Sequence, residues 1–447
     1  MKQYTRAEIK EIISERGVQY ISLQFSDILG TVKSVDLPVT MLDAALDNKI
    51  MFDGSSIEGF VRIQEADMCL HPDLGTFMVF DDDDTMGDCL VARFICDVYK
   101  TNGEPFEGDP RYVLKKVLKK MQEAGYNKFN VGFEAEFYLL RTDETGRPTL
   151  EFSDAGSYFD LAPMDGSENC RRDIVLTLER LGFEMQQSHH EVGPGQNEIN
   201  FKYADALSTC DSIQTLKHVV KKVAGAYGLY ATFLPKPKEG FPGNGMHTNC
   251  SLVKDNHNVF GSENDDLRIS ETCRKFISGI IAHSKAITAL ANPTINSYKR
   301  LMSGYEAPCY IAWASANRST MIRLPAVTSS ENARIEIRSV DPSCNPYLAI
   351  AAILTAGLEE ISSGKEPIKP VTENLFSESP KQLKRKHIEK LPESLEVALV
   401  ELSKDAIIME CLGEHVSSKF LAAKHCECDK YQKQISKWEI DYYLPKL

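Results

Sequence analysis

The segment Phe133–Phe137, with the sequence Phe-Glu-Ala-Glu-Phe, is the feature that most constrains how this chain can fold. Glu134 and Glu136 interrupt an apolar run of the kind that forms a buried β-strand. Residues two apart on a strand project from one face, so both carboxylates would leave the same side of the sheet. Such carboxylates repel each other and resist transfer from water, and a divalent cation would offset both effects. The segment predicts either a cation site on a buried strand or an exposed face with two ordinary acids.

Other segments repeat this combination of charged and apolar residues. Glu191 and Glu198 flank a Gly-Pro-Gly bend that would bring them close together, and His247 begins another predicted strand. The segment 334–338, Arg-Ile-Glu-Ile-Arg, is either a solvated edge strand or a site wall with one metal ligand and two anion-binding guanidinium groups. Together these segments supply an oxygen-rich set of ligands, which suits Mg²⁺ or Mn²⁺ better than zinc.

Five arginines lie within a short stretch of the chain: Arg300, Arg318, Arg323, Arg334 and Arg338. A cation site surrounded by guanidinium groups is typical of phosphoryl transfer, where the protein mainly positions the reactants and neutralises charge. We therefore expect these arginines to bind phosphates and a substrate carboxylate.

The length of the chain, 447 residues, exceeds the roughly 250–300 residues at which a single core stops growing. We expect two domains, residues 1–105 and 106–447. Lys and Arg number 51 against 64 Asp and Glu, and this acidic balance argues against nucleic acid as the ligand. The polar N-terminus and the lack of long apolar runs predict no membrane association and a cytoplasmic location, with the twelve cysteines reduced.

Three predicted elements bear on the site. A strand is expected over His189–Phe201, another over Arg334–Val340, and a single helix over Ser270–Leu290.

These motifs resemble those of the type I glutamine synthetases over essentially the whole chain. The matching segments, 51–59, 296–308, 317–319, 334–338 and 341–347, follow in the family's order. The resemblance implies an α+β fold, with a small N-terminal β-grasp-like domain and a large C-terminal catalytic domain built on a curved antiparallel sheet. It also implies an ATP-dependent ligase that condenses L-glutamate and ammonia to L-glutamine through γ-glutamyl phosphate.

The resemblance further implies a role for individual residues. Two divalent cations, Mg²⁺ or Mn²⁺, are expected, one on Glu136, Glu191 and Glu198 and the other on Glu134, His247 and Glu336. Glutamate would be bound by Gly243, Arg300, Glu306 and Arg338. ATP and its phosphates would be bound by Ser251, Arg318, Arg323 and Arg334.

Three residues would take part directly in the chemistry. Asp53 would help to deprotonate ammonium, Glu306 would lie on a flap that closes over the intermediate, and Arg318 would stabilise the transferring phosphoryl group. Taken without the resemblance, Asp53 and Glu306 are more simply interpreted as loop carboxylates with capping roles.

Some positions depart from the common family pattern or bear on regulation. Pro242 and Asn244 replace an Asn and a Ser in the glutamate-binding loop, and Gln186 stands where an acidic nucleotide contact is common. Phe376 occupies the place of a tyrosine that one branch adenylylates, so no such control is expected. Arg62 resembles a residue of the alpha branch that mediates feedback inhibition by glutamine; the alternative is an arginine in a surface salt bridge.

By the same resemblance, the chain would form a homododecamer of two hexameric rings, with active sites between adjacent subunits. The aromatic C-terminus would lock into the opposite ring, because it would otherwise expose an apolar patch. Two other functions remain open, a ligase that uses an amine or polyamine and a non-catalytic relative. The sequence also leaves open that the glutamine-bound enzyme modulates a nitrogen-responsive transcription regulator.

The proposed role of Arg62 can be tested with the Arg62→Ala variant. We expect inhibition by glutamine to be lost, because the guanidinium group that mediates it is absent. The measurement is ATP-dependent glutamine formation over a range of added glutamine. Unchanged inhibition would refute the proposed role.

Overall fold

A computed structural model of the chain describes residues 4–57, 59, 67–80, 89–302, 308–315, 320–372, 375 and 378–447, without the side chain of Pro380. Four residues discussed above lie outside the described residues: Arg62, Glu306, Arg318 and Phe376. Within the described ranges, every helix is too short or too polar to span a lipid bilayer.

The N-terminal unit is a five-stranded sheet with a small hydrophobic core of its own. Its strand order is β2-β1-β5-β4-β3, in which β1 and β5 run parallel and the other pairs antiparallel. Thr5 caps the first helix in a capping box with Glu8. The elements are α1 (Arg6–Arg16), β1 (Tyr20–Ser26), β2 (Val32–Pro38), α2 (Leu42–Leu46), β3 (Ile50–Asp53), β4 (Asp67–Phe80) and β5 (Val91–Lys100).

Strand β4 is not evident from the sequence. Pro72, Asp73 and Gly75 are residue types that strands disfavour. The strand accommodates them because its pairing with β5 is irregular between Asp73 and Met78.

The C-terminal unit holds the larger core and an eleven-stranded sheet. The predicted domain boundary between residues 105 and 106 falls in the connection between β5 and the next helix, and it stays a prediction. The helices are α3 (Pro110–Glu123), α4 (Glu168–Arg180), α5 (Ala206–Ala226), α6 (Glu271–Ala282), α7 (Ser284–Ala291), α8 (Ser297–Arg300), α9 (Pro346–Ser362), α10 (Pro380–Arg385), α11 (Leu395–Lys404), α12 (Ala406–Gln432) and α13 (Lys437–Tyr443). The strands are β6 (Lys128–Thr142), β7 (Pro148–Phe152), β8 (Met185–His190), β9 (Gln196–Phe201), β10 (Ala204–Asp205), β11 (Leu229–Thr232), β12 (Met246–Lys254), β13 (His257–Asn258), β14 (Tyr310–Ala314), β15 (Thr320–Arg323) and β16 (Ile335–Ile337).

The long strand β6 organises this sheet. The main path is β14-β15-β16-β12-β6-β9-β8, and the short strands β7, β10 and β11 also pair with β6. All pairs are antiparallel except β14 with β15. Phe133, Ala135 and Phe137 of β6 are buried in the core with helices that include α5, α6 and α9. Alternation along the strand therefore leaves Glu134 and Glu136 on the opposite face.

The extents of three predicted elements were wrong. The expected strand His189–Phe201 is two strands, β8 and β9, separated by the Gly193–Gly195 bend. The expected strand Arg334–Val340 is only the short β16. The expected helix Ser270–Leu290 breaks into α6 and α7 at His283, which leaves the helical conformation (φ −101°, ψ 7°) and pairs through its ring with Asp405.

A buried ion cluster joins the two units. Arg111 of α3 is almost fully buried, and its guanidinium group lies 2.8 Å from Asp211, 2.6 Å from Asp97 and 2.7 Å from Asp73. Asp73 and Asp97 belong to the N-terminal sheet, whereas Asp211 lies on α5. Tyr347 of α9 also donates a hydrogen bond to Asp211, at 2.7 Å. The Arg111 guanidinium group therefore fixes the N-terminal unit against the helices that support the large sheet.

We expect Arg111→Met to destabilise the protein by about 3–5 kcal/mol, because it leaves three carboxylates without their shared cation. The urea concentration at the unfolding midpoint measures this loss. Lys10→Met is the matched control, since Lys10 forms an exposed pair with Asp43 and such pairs contribute about 0–1 kcal/mol. Equal midpoints for the two variants would contradict the proposed importance of the buried cluster.

Candidate active site

Strand register brings the predicted acids onto one face of the large sheet. Glu136 pairs directly with Glu198 across β6 and β9, and Glu134 pairs with His247 across β6 and β12. Directly opposed residues on antiparallel strands share a face. The face thus collects side chains from five adjacent strands: Glu198 and Asn200 of β9, Glu134 and Glu136 of β6, His247 and Asn249 of β12, Glu336 of β16 and Arg323 of β15.

Glu134, His247 and Glu336 form one cluster, in which one potential ligand atom of each residue lies within 4.8 Å of the others. His247 Nδ1 is 3.3 Å from Glu134 and 3.6 Å from Glu336. Burial opposes ionisation of Glu134, but hydrogen bonds from His247 and from Asn249, at 2.8 Å, lower its pKa to about 2. This group has the ligand types and spacing that fit a hard divalent cation.

Glu336 is fully buried and is held by two arginines. Arg323 Nε and Arg338 Nη1 each donate to a different carboxylate oxygen, the latter at 2.6 Å. Both arginines therefore lie at the edge of the first cluster, where their positive charge faces the same space as the acids.

Glu136, Glu191 and Glu198 form the second group of acids. Glu191 and Glu198 cluster with His189, whose Nε2 lies 3.0 Å from Glu191, and Glu136 lies opposite Glu198. Burial raises the pKa of Glu136, and the charge of Glu191 adds to this effect. Burial together with the charges of Glu136 and Glu134 raises the pKa of Glu198 to about 9. The repulsion that raises these pKa values is what a bound cation would remove.

A cavity of about 290 Å³ lies beside the second group. Glu136, Glu191, Gly243, Arg300 and Arg338 all line it. Arg300 is anchored by donation to the backbone oxygens of Ser339, at 2.8 Å, and Arg338, at 2.9 Å. The buried Nε of Arg338 has no acceptor among the described residues. The cavity thus combines a cation site with guanidinium groups, as a substrate carboxylate would require.

The loop that contains Pro242 and Asn244 is fixed by hydrogen bonds to neighbouring strands and loops. Tyr138 donates a hydrogen bond to the backbone oxygen of Pro242, at 2.8 Å. The Asn244 side chain is fully buried and donates to the Leu234 carbonyl at 2.9 Å, so it supports the loop and does not line the cavity. At Gly243 a Cβ atom would come within 2.5 Å of the Pro235 oxygen, so only glycine fits there.

A second cavity, of about 400 Å³, lies on the other side of the first cluster. Its walls include Glu134, Ser251, Arg334 and Gln186. Arg334 Nε donates to Asn249 at 3.2 Å, and Asn249 in turn donates to Glu134. The first cluster therefore borders a space large enough for part of a nucleotide.

Asp53 is not brought to these cavities within one chain. It ends β3, is exposed, and accepts a hydrogen bond from the Ser55 backbone at 2.8 Å. Hydrogen bonding to Ser55 lowers the pKa of Asp53. Glu306 and Arg318, which were predicted to take part in the chemistry, lie outside the described residues, as does Arg62.

Three amide side chains contact the predicted ligands, although the sequence motifs predicted no role for them. Gln196 Nε2 lies 3.3 Å from Glu136 and 3.1 Å from the Gly243 oxygen, Asn249 holds Glu134, and Asn200 holds Glu198. Alternation would have indicated them, because Gln196 and Asn200 flank Glu198 at two-residue spacing and Asn249 follows His247 in the same way.

Two family models match most of the chain. The family model described as "Glutamine synthetase, catalytic domain" matches residues 107–443, and that described as "Glutamine synthetase, beta-Grasp domain" matches residues 17–101. These matches confirm the predicted α+β fold with its two parts.

Curated relatives and solved structures cover nearly the whole chain. A protein named glutamine synthetase from Staphylococcus aureus strain Mu50 is 51% identical over 443 residues, 99% of each chain, and one from Staphylococcus epidermidis is 50% identical over the same share. A structure described as "GmaS/ADP complex-Conformation 1" has a TM-score of 0.87 at 30% identity and covers 99% of this chain and 100% of its own. The cryoEM structure of Plasmodium falciparum glutamine synthetase has a TM-score of 0.88 at 26% identity and 99% coverage of both chains. The chain therefore belongs to the glutamine synthetase family.

Proposed function

We propose that the chain, as an ATP-dependent glutamate–ammonia ligase, carries out its reaction on the acidic sheet face formed by β9, β6, β12 and β16. The observation that carries this proposal is the position of the two acidic clusters, which lie side by side between the 290 Å³ and 400 Å³ cavities. The smaller cavity would take glutamate and the larger one ATP. A structural neighbour described as an ADP complex supports a nucleotide in this fold.

In the first step, an oxygen of the glutamate side-chain carboxylate attacks the γ-phosphorus of ATP. The bond between that phosphorus and the bridging oxygen breaks, ADP leaves and γ-glutamyl phosphate forms. Two divalent cations, Mg²⁺ or Mn²⁺, supply the positive charge that lets two anions approach. Glu136, Glu191 and Glu198 would hold one of them, and Glu134, His247 and Glu336 the other.

Arginines would complete the neutralisation of charge in this step. Arg300 and Arg338 would bind glutamate, and the buried Arg338 Nε without a described acceptor supports this role. Arg323, Arg334 and Arg318 would lie along the phosphates. Preorganised donors of this kind stabilise developing charge without rearranging during the reaction.

In the second step, ammonium loses a proton to Asp53, and the ammonia nitrogen attacks the acyl carbon. The bond between that carbon and the phosphate oxygen breaks, and the departing phosphate takes the second proton from the nitrogen, which leaves the amide. Asp53 is exposed in its own chain and does not line either cavity, which supports a site completed by an adjacent subunit. Glu306 would close over the intermediate and exclude water, since acyl phosphates hydrolyse readily.

A homododecamer of two hexameric rings would provide that neighbouring subunit. The exposed apolar side chains at the C-terminus support a further contact, because Trp438, Leu444 and Leu447 are 61%, 72% and 101% exposed in the single chain. We place the enzyme in the alpha branch, inhibited by glutamine through Arg62 and not adenylylated at Phe376. We further propose a cytoplasmic location, with which twelve free cysteines agree.

The reaction can be tested with a panel of glutamate plus ammonia, simple primary amines or polyamines, with phosphate release as the measurement. We expect ammonia to be the preferred nitrogen donor. Glu336→Gln should lower kcat by about 100-fold or more, because a buried charge at the reacting groups is lost, whereas the exposed Glu123→Gln should match the wild type. Preference for an amine would favour the other ligase, and no turnover with any donor would favour a non-catalytic relative.

Cation binding should release a proton from Glu198. Its pKa of about 9 means that Glu198 is protonated at neutral pH in the cation-free protein. The contribution of this raised pKa to folding stability is complete below pH 4.5, the ordinary pKa of a glutamate, and is lost as the pH rises from 4.5 through 9. Since a cation needs the ionised form, Mn²⁺ affinity should rise by up to about tenfold per pH unit between pH 7 and pH 9.

Calorimetric titrations with Mn²⁺ in buffers of different ionisation enthalpy measure this proton release. Glu198→Gln cannot ionise at this position, so Mn²⁺ binding to this variant should not release that proton. An affinity independent of pH over this range in the wild-type protein would contradict the assignment.

A further inference from the structure

Asn200 occupies a position between the two acidic clusters. It is directly opposite Glu134 in the pairing of β9 with β6, and it lies two residues from Glu198 on the same strand. Its amide nitrogen donates a hydrogen bond to Glu198 Oε1, at 2.7 Å. The side chain therefore contacts a predicted ligand of one cluster and is the cross-strand neighbour of a predicted ligand of the other.

The carbonyl oxygen of the same side chain, Oδ1, is buried and has no hydrogen-bond donor among the described residues. Burying a polar atom without a partner is unfavourable, so such atoms in folded proteins usually face a bound water, ion or ligand. Asn200 also lines the 400 Å³ cavity, which Glu134 shares. The unpartnered oxygen thus lies on the same sheet face as the acids and beside the space where a cation would bind.

Asn249 provides a comparison on the other side of Glu134. Its amide nitrogen donates to Glu134 at 2.8 Å and its oxygen accepts from Arg334 at 3.2 Å, so both ends of that side chain have partners within the protein. Asn200 has the same side chain on the same face, but only its nitrogen is satisfied. This difference indicates that the partner of the Asn200 oxygen lies outside the described residues.

We infer that Asn200 is a further positioning residue of the cation site, which links the two centres through the two ends of its amide. The nitrogen holds Glu198 in its ligand position, and the oxygen contacts the cation of the Glu134 centre or a water bound to it. Amide oxygens are suitable partners for Mg²⁺ and Mn²⁺, which prefer oxygen ligands and often keep bound water. This inference rests on the two-cation site of the proposed function.

Mn²⁺ binding in the absence of nucleotide, followed by the EPR signal of the free ion, tests the inference without turnover. We expect Asn200→Ala to weaken binding at one centre by about 10–100-fold, as loss of residues that orient metal ligands usually does. Asn200→Asp keeps an oxygen toward the Glu134 centre but loses the amide donor to Glu198, so it should weaken binding less than Asn200→Ala does. Asn197→Ala is the matched control, because Asn197 is buried on the same strand but bonds to Arg171 on the other face.

A second measurement separates cation binding from a purely structural role. The rise in unfolding temperature on addition of Mn²⁺ should be smaller for Asn200→Ala than for the wild type, whatever the change in the cation-free protein. For Asn197→Ala the rise should equal that of the wild type. A merely structural Asn200 would lower the unfolding temperature with and without Mn²⁺ by the same amount, and that result would overturn the inference.

The outcomes also distinguish this inference from the proposed function. Wild-type protein that binds no Mn²⁺ would refute the two-cation site and the inference together. Wild-type protein that binds Mn²⁺ while Asn200→Ala binds it equally well would refute only the role of Asn200. Equal losses in Asn200→Asp and Asn200→Ala would refute the contact made by the oxygen.

Discussion

Repulsion among carboxylates on one face of the large sheet is the constraint on which the rest of this structure depends. Glu136 is paired with Glu198 across adjacent strands, and Glu134 lies two residues from Glu136 on the same face. The burial of Glu136 and Glu198 weakens the screening by water. The protein offsets part of the repulsion with His247 and with the arginines that hold Glu336. Burial raises the pKa of Glu198, and the charges of Glu136 and Glu134 raise it further, so additional positive charge would stabilise the ionised form.

This residual repulsion connects the fold to the chemistry. An acidic cluster that the protein does not fully neutralise suits divalent cations, and bound cations would attract the anionic substrates of the proposed reaction. The two cavities open on either side of the acids, with arginines in the walls of both. The geometry is therefore suited to transferring a phosphoryl group between two anions that would otherwise repel each other.

The supporting structure has to hold this face rigid. The strands are backed by apolar residues at alternate positions and by buried helices such as α9. The N-terminal unit is attached to this support through Arg111 and its three carboxylates, and through Asn345, whose side chain donates to the backbone oxygens of Asp27 and Ile28. Movement of the N-terminal sheet relative to the large sheet would break these buried contacts, so the two units behave as one support for the site.

The sequence by itself determined the chemical character of the site: alternating acids in apolar strands, a nearby histidine and a series of arginines. These features depend on residue type and on two-residue spacing, which are local properties of the chain. Tertiary structure alone decided which strands are neighbours and in what register, and so it brought Asn200, Gln196 and Asn249 against particular acids. It also decided that Asn244 supports its loop from within and that Asp53 lies apart from its own chain's cavities, because contacts between distant segments follow from strand pairing and packing that no local pattern specifies.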